Sequence, residues 1–218
     1  MGRIERFPPN SAGRDFVAGD IHGQFHLLEQ KLDGFSFDAG RDRLFCVGDL
    51  IDRGQDSQAV AQWLEKPWVH CARGNHEQMA LDAQSDRDAR FTWMLNGGEW
   101  WDDTPAPARR KLLSLLSALP IAIVIEMPRF PIGIVHADVP ADMCWSDFLE
   151  KVEQGDPNAI NTALWSRRRV YNRINTGVPG VSEIYCGHTI VGVPLTLGNV
   201  HFIDTGAYTT GILTVIRL

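Results

Sequence analysis

The sequence has no long apolar run, and nothing in it approaches the roughly 20 apolar residues of a membrane-spanning helix, so no membrane partner is expected. It also has no basic excess. Its 21 Lys and Arg stand against 27 Asp and Glu, a formal net charge of −6, which leaves no overall footprint for nucleic acid. Local arginine clusters can still meet a phosphate inside an acidic protein. The four cysteines, Cys46, Cys71, Cys144 and Cys186, show no Cys-x-x-Cys spacing. Three of them sit in strand-like runs and read as buried free thiols, which favours a reducing cytoplasm. The first 13 residues carry charges and two prolines without an apolar core, so they do not read as a secretory signal. Repeats and low-complexity tracts are missing as well.

What is present suits one sizeable domain: 218 residues, 44% hydrophobic and 22% charged. Residues 1–13 read as a leader, loose or added at an edge, because Pro8-Pro9-Asn10-Ser11 breaks regular structure. Residues 14–218 read as the single domain. Apolar runs at 16–18, 44–47, 69–72, 121–126, 132–135, 184–186, 200–203 and 212–216 predict strands. Helical spacing predicts helices at 24–32, 57–65 with Ser57 as N-cap, 75–83, 107–119 and 145–169. Helices alternate with strands early and strands dominate late. The expected class is α/β or α+β, with two packed mixed sheets flanked by helices.

One stretch organises the rest. Leu44-Phe45-Cys46-Val47 runs into Gly48-Asp49-Leu50-Ile51-Asp52-Arg53-Gly54, a loop that crowds Asp49, Asp52 and Arg53 at a strand exit. Strand exits are where α/β sheets bind ligands. The pattern recurs at Gly19-Asp20-Ile21-His22-Gly23, at Arg73-Gly74-Asn75-His76-Glu77, at His136-Ala137-Asp138 and at Gly187-His188-Thr189. Asp, His and Asn form a mixed O/N donor set suited to Mn, Fe or Zn. Asp20 and His22 lie two apart, so an extended loop points both the same way. Asp20, His22, Asp49, Asn75, His136 and His188 are too many for one closed tetrahedral site. With Asp49 bridging, they fit two ions about 3.5–4 Å apart.

These motifs resemble the signature of the phosphoprotein phosphatases among the calcineurin-like metallophosphoesterases, and the phage and bacterial members look most similar. The likeness extends to Asn75-His76-Glu77-Gln78-Met79, Leu95-Asn96-Gly97-Gly98, Trp165-Ser166-Arg167 and Ile203-Asp204-Thr205-Gly206-Ala207, and covers residues 14–216. It implies the calcineurin-like fold and two divalent ions, Mn2+ first with Fe or Zn as alternatives. Asp20, His22 and Asp49 would hold one ion, and Asp49, Asn75, His136 and His188 the other. His76 would be the acid, oriented by Asp52, while Arg53, Arg73 and Arg167 would contact phosphate. Water bridging two dications loses its proton near neutral pH. The resemblance therefore implies direct attack on phosphorus, with no phosphoenzyme.

The implied substrate is a protein or peptide bearing phosphoserine or phosphothreonine, with phosphotyrosine left open. A dinucleoside polyphosphate hydrolase and a non-catalytic scaffold are the competing readings. The intact ligand set argues against the scaffold, and a monomer is the default. Outside the motifs, His26, His70 and His201 read as structural or surface. At least two of Trp93, Trp100 and Trp101 read as packing, Asp138 and Asp204 as support for the site, and 109–111 as a solvated helix face.

Overall fold

The computed structural model describes residues 2–218. Three parallel strands, β2 (Asp15–Ala18), β3 (Arg43–Cys46) and β4 (Val69–Cys71), form one sheet, closed on its outer side by antiparallel β10 (Val215–Arg217). The second sheet runs β1 (Ile4–Phe7), β5 (Ala122–Ile125), β6 (Ile132–Val135), β7 (Glu183–Cys186), β9 (Val200–Phe202), β8 (Leu195–Leu197). Within it β6, β7 and β9 are mutually parallel, and β5 and β8 pair antiparallel with their neighbours β6 and β9.

Alternation along each strand explains the layering, because successive side chains point to opposite faces. Phe16 and Ala18 face one core and Val17 another, and Leu44 and Cys46 part from Phe45 and Val47 in the same way. In the second sheet Ala122 and Val124 face outward, and Ile123 and Ile125 inward. The inward set, with Ile132, Ile134, Tyr185 and Ile203, fills the space between the sheets. Helices cover both outer faces. Against the first sheet lie α1 (Phe25–Gly34), α2 (Val60–Leu64), α3 (Asn75–Asp82), α4 (Arg87–Trp93) and α5 (Ala106–Ala118). Against the second lie α6 (Trp145–Gln154) and α7 (Pro157–Trp165). The expected pair of mixed sheets between helical layers is what the chain forms. Among the described residues no helix is long and apolar enough to cross a membrane.

Two expectations need correction, a third is decided between its alternatives, and one strand went unread. Of the two readings of the N-terminal segment, the added edge is what forms: β1 pairs with β5 in the register Ile4↔Ala122 to Phe7↔Ile125. The Phe7 ring also reaches Phe45 and His70, with centroids 5.2 and 4.3 Å away. Edge pairing and aromatic packing order it despite the prolines; Met1 lies outside the described residues. Residues 145–169 are three helices, α6, α7 and α8 (Arg168–Tyr171), because Gly155 sits at φ 80° and Pro157 starts a new helix under the Asp156 cap. Ser57 opens a 3-10 turn but caps nothing; its Oγ accepts the Asp52 N–H at 2.9 Å. The short strand β8 had no clear signal in the sequence.

Candidate metal centre

The parallel strands of both sheets end on one side of the molecule, and their exit loops meet there. Asp20 follows β2, Asp49 follows β3 and Asn75 follows β4; His136 follows β6 and His188 follows β7. The loops are held in unusual backbone. His22, Asp49, Asp52, Arg53 and His188 all have φ between 46° and 71°. That region is costly for non-glycine residues and persists only where the surroundings enforce it. Glycine relieves the crowding at two points. At Gly48 (φ 112°) a Cβ would meet the Gly74 backbone N at 2.7 Å and Nδ1 of His136 at 2.9 Å, and at Gly187 it would overlap the Asp20 carboxylate.

The tautomers follow from the partners, since a carbonyl oxygen can only accept. His22 donates through Nδ1 to the Ile51 carbonyl at 2.8 Å, and His136 through Nδ1 to the Val47 carbonyl at 3.1 Å. His188 donates through Nε2 to the Trp165 carbonyl at 3.1 Å. Each ring thus turns its other nitrogen, a lone pair, into the centre. Nε2 of His136 and Nδ1 of His188 lie 2.8 and 2.9 Å from Oδ1 of Asn75. Asp49 Oδ1 lies 3.4 Å from that His136 nitrogen, and Asp49 Oδ2 lies 3.5 Å from Nε2 of His22. Lone pairs of imidazole, amide and carboxylate converging this tightly form a mixed N/O donor set that suits a divalent cation. A carbonyl on the far nitrogen is the support that metal-ligating histidines show. Among the described residues, Asp49 with His136 and His188, and Asp49 with His22 and His76, form compact donor groups that share Asp49. Burial pulls His22 and His188 down to about 3 and lowers His136, which keeps these rings neutral and able to ligate. Asp20 stands beside them, its carboxylate accepting the His188 N–H at 3.0 Å. Burial, then Asp204 and Asp49, raise its pKa. A buried group of acids this close calls for positive charge.

His76 is held differently. Its Nδ1 lies 2.7 Å from Oδ2 of Asp52, a carboxylate, and its Nε2 stands 3.9 Å from Oδ2 of Asp49. Burial opposes its charge, but Asp49 and the Asp52 hydrogen bond outweigh it and raise the pKa. Among the four imidazoles of the centre, this is the one built to carry a proton.

The arginines separate. Nη1 of Arg53 lies 3.0 Å from Nε2 of His22, and its guanidinium sits 4.8 Å from the Tyr208 ring centroid. Arg167 is exposed, and its charge reaches His136 and His188, lowering both. Arg169, two residues on, is fully buried on Asp138 at 2.7 Å and on the carbonyls of Thr176 and Val139, so it serves the fold. Arg73, expected at phosphate, meets protein acceptors. It donates to Gln78 and to the Ser117 and Leu119 carbonyls at the end of α5, because free helix C-terminal carbonyls attract a cation. His26, His70 and His201 are not part of the centre: His26 is exposed, and His70 and His201 pack on aromatic rings away from it. Arg109, expected on a solvated face, instead donates to the Thr104 and Asp102 carbonyls and lies over Trp101.

Two supports went unread in the sequence. Glu77 is fully buried and accepts the N–H groups of Asp49 (2.9 Å), Leu50 (2.8 Å) and Gly74 (2.8 Å), tying the two central loops together. Its place at the third residue of α3 is the one hint, since Glu there reaches back to the helix start. Burial, then the Asp49 carboxylate, push it up to about 7. Trp93 and Trp100 turn their indole N–H groups onto Asp52, at 2.8 and 2.7 Å.

Residues 16–192 match the family model described as calcineurin-like phosphoesterase. The chain belongs to this family. Among its relatives, serine/threonine-protein phosphatase 1 of Salmonella typhimurium is 37% identical over 206 residues, covering 93% of this chain and 91% of that protein. The symmetrical bis(5'-nucleosyl)-tetraphosphatase of Shewanella oneidensis is 31% identical over 64% of this chain and 48% of that protein. Among solved structures, a yeast protein serine/threonine phosphatase (Saccharomyces cerevisiae) with similarity to human PP5 superposes with TM-score 0.67 at 19% identity. That match spans 95% of this chain and 73% of the yeast chain, a likeness of fold. Divalent metal ions are the cofactors of a metallophosphoesterase, and the donor groups above are where such a family member would hold them.

Proposed function

We propose that this phosphoesterase is a metal-dependent protein phosphatase that hydrolyses phosphoserine and phosphothreonine monoesters. The observation that carries the reading is the split among the four imidazoles: three are pinned by backbone carbonyls and one by a carboxylate. Three ligands and one acid are what two-metal phosphoryl hydrolysis with a poor leaving group requires. The full-length likeness to a serine/threonine-protein phosphatase supports the substrate class.

Asp20, His22 and Asp49 would hold one ion. Asp49, Asn75, His136 and His188 would hold the other. Bound there, two divalent cations supply Lewis acidity and lower the pKa of a coordinated water toward neutrality; the mixed donor set suits Mn2+, with Fe or Zn as alternatives. Arg53 and Arg167 bring positive charge to the phosphate oxygens. His76 gives the proton on Nε2 to the serine or threonine oxygen as it leaves, and Asp52 holds the ring in place from Nδ1. A covalent phosphocysteine is not needed: Cys71 is buried, and burial with neighbouring Cys46 raises its pKa well above the usual thiol range. Three buried free thiols support a reducing, cytoplasmic setting.

The test is to strip the protein with chelator, add back Mn2+, and offer phosphoserine, phosphothreonine and phosphotyrosine peptides beside diadenosine tetraphosphate. Mn-restored phosphate release from the serine and threonine peptides is expected. Preferred cleavage of the dinucleotide would move the enzyme to nucleotide hydrolysis. No turnover with two ions bound would leave a binding scaffold.

A further inference from the structure

Asp52 is completely buried and accepts three charge-assisted hydrogen bonds on its two oxygens. Oδ2 takes the His76 ring at 2.7 Å and the Trp93 indole N–H at 2.8 Å; Oδ1 takes the Trp100 indole N–H at 2.7 Å. The indoles lie 41 and 48 residues from Asp52 in the chain. They are delivered by one segment, the end of α4, the wide turn Met94–Gly98 and the 3-10 turn Glu99–Trp101. That turn also presses on the neighbouring arginine: Gly97 sits at φ 102°, where a Cβ would meet Arg53 N at 2.7 Å. Trp93, Trp100 and Trp101 pack edge to face, with centroids 5.5–6.4 Å apart, so neither indole is free to turn.

A buried carboxylate held at one oxygen can rotate about its Cβ–Cγ bond; held at both, it cannot. We propose that Trp93 and Trp100 are positioning residues for the leaving-group step. They lock the Asp52 carboxylate plane, so that Oδ2 stays on Nδ1 of His76 and Nε2 faces the departing oxygen. Their indole N–H groups act through Asp52. The step they serve is a proton transfer from Nε2 to the leaving oxygen as the P–O bond breaks. The proposal rests on the reading of His76 as the acid.

The experiment compares Trp100→Phe with His76→Asn in the Mn-loaded enzyme. Trp100 is only partly buried, and Phe keeps a ring in the stack while deleting the N–H. Each variant is assayed on a phosphoserine peptide, whose alkoxide needs a proton, and on p-nitrophenyl phosphate, whose leaving group needs little. Trp100→Phe should lower kcat on the peptide about tenfold, the size of one hydrogen bond to a charged group. It should leave KM alone and change the aryl substrate less than about twofold. A second reading comes from proton NMR of the metal-free protein, where the His76 Nδ1 proton should exchange with solvent faster in Trp100→Phe than in wild type. Equal loss on both substrates, or unchanged kcat with unchanged exchange, would overturn the positioning role. If His76→Asn itself fails to discriminate the two substrates, the acid assignment beneath it falls instead.

Discussion

Nε2 of His136 stands 2.8 Å from Oδ1 of Asn75, although one follows the end of β6 and the other begins α3. Two sheets therefore have to pack in register before this half of the centre exists. Removing the imidazole should remove one ion and leave the other, because Asp20, His22 and Asp49 all remain. His136→Ala is expected to bind one Mn2+ where the wild type binds two, measured by elemental analysis after dialysis. Activity should fall by at least about 100-fold, the upper range for disturbing a ligand's support alone. Two ions bound at wild-type affinity would remove His136 from the ligand set.

Glu77 makes a separate prediction, about stability. Its carboxylate is the acceptor for three short N–H contacts from the loops carrying Asp49 and Asn75. Glu77→Gln preserves shape but turns an amide donor toward N–H groups that need an acceptor. A loss of about 1–3 kcal/mol is expected when buried N–H donors lose their acceptor, read as a lower melting temperature of the metal-free protein. An unchanged melting temperature would show that the loops hold without this anchor.

How far the sequence speaks depends on whether a residue announces itself locally. Asp20, Asp49, Asn75, His136 and His188 each follow an apolar run, so a strand exit and a ligating side chain are read together, and their meeting follows from parallel strands ending on one side. The alternation of Phe16-Val17-Ala18 and Leu44-Phe45-Cys46-Val47 is equally local, which is why two sheets between helices could be anticipated. Trp93 and Trp100 gave no such sign. A tryptophan at a helix end reads as packing, and both do pack; that their N–H groups end on Asp52 is decided by the turn at Gly97. Arg73 is the reverse case, since its motif suggested phosphate while the carbonyls it donates to at the end of α5 lie outside any local window. Strand β1 was hidden because its partner, β5, is more than a hundred residues away.

Tyr208 frames the next prediction. Its ring lies 4.8 Å from the Arg53 guanidinium and 5.0 Å edge-on from His22. A cation over an aromatic face contributes about 0.5–1 kcal/mol at a partly exposed site, and here it restrains a long side chain meant to meet phosphate. Tyr208→Ala should raise KM for phosphopeptides and the inhibition constant of inorganic phosphate together, by about 2–5-fold. Tyr208→Phe, which keeps the ring, should do neither. Parallel behaviour of the two variants would assign the effect to the hydroxyl.

The last prediction concerns acid. His70 packs on Phe7 and Phe45, with centroids 4.3 and 5.4 Å away, and so sits where β1 meets the first sheet. Burial, then the charge of Arg43, pull its pKa down to about 4. Below the ordinary imidazole value near 6.5 the unfolded chain takes up a proton that the folded chain refuses. Stability must therefore fall as pH drops from about 6.5 toward about 4, and this contribution levels off once the folded ring protonates too. His70→Phe keeps an aromatic contact and deletes the titration. Thermal unfolding of the metal-free proteins at pH 7 and pH 5 should show a steeper drop in the wild type than in His70→Phe, since every other titrating group is common to both. Equal drops would mean that the ring takes its proton freely in the fold, and that the packing of β1 on His70 is looser than the centroid distances describe.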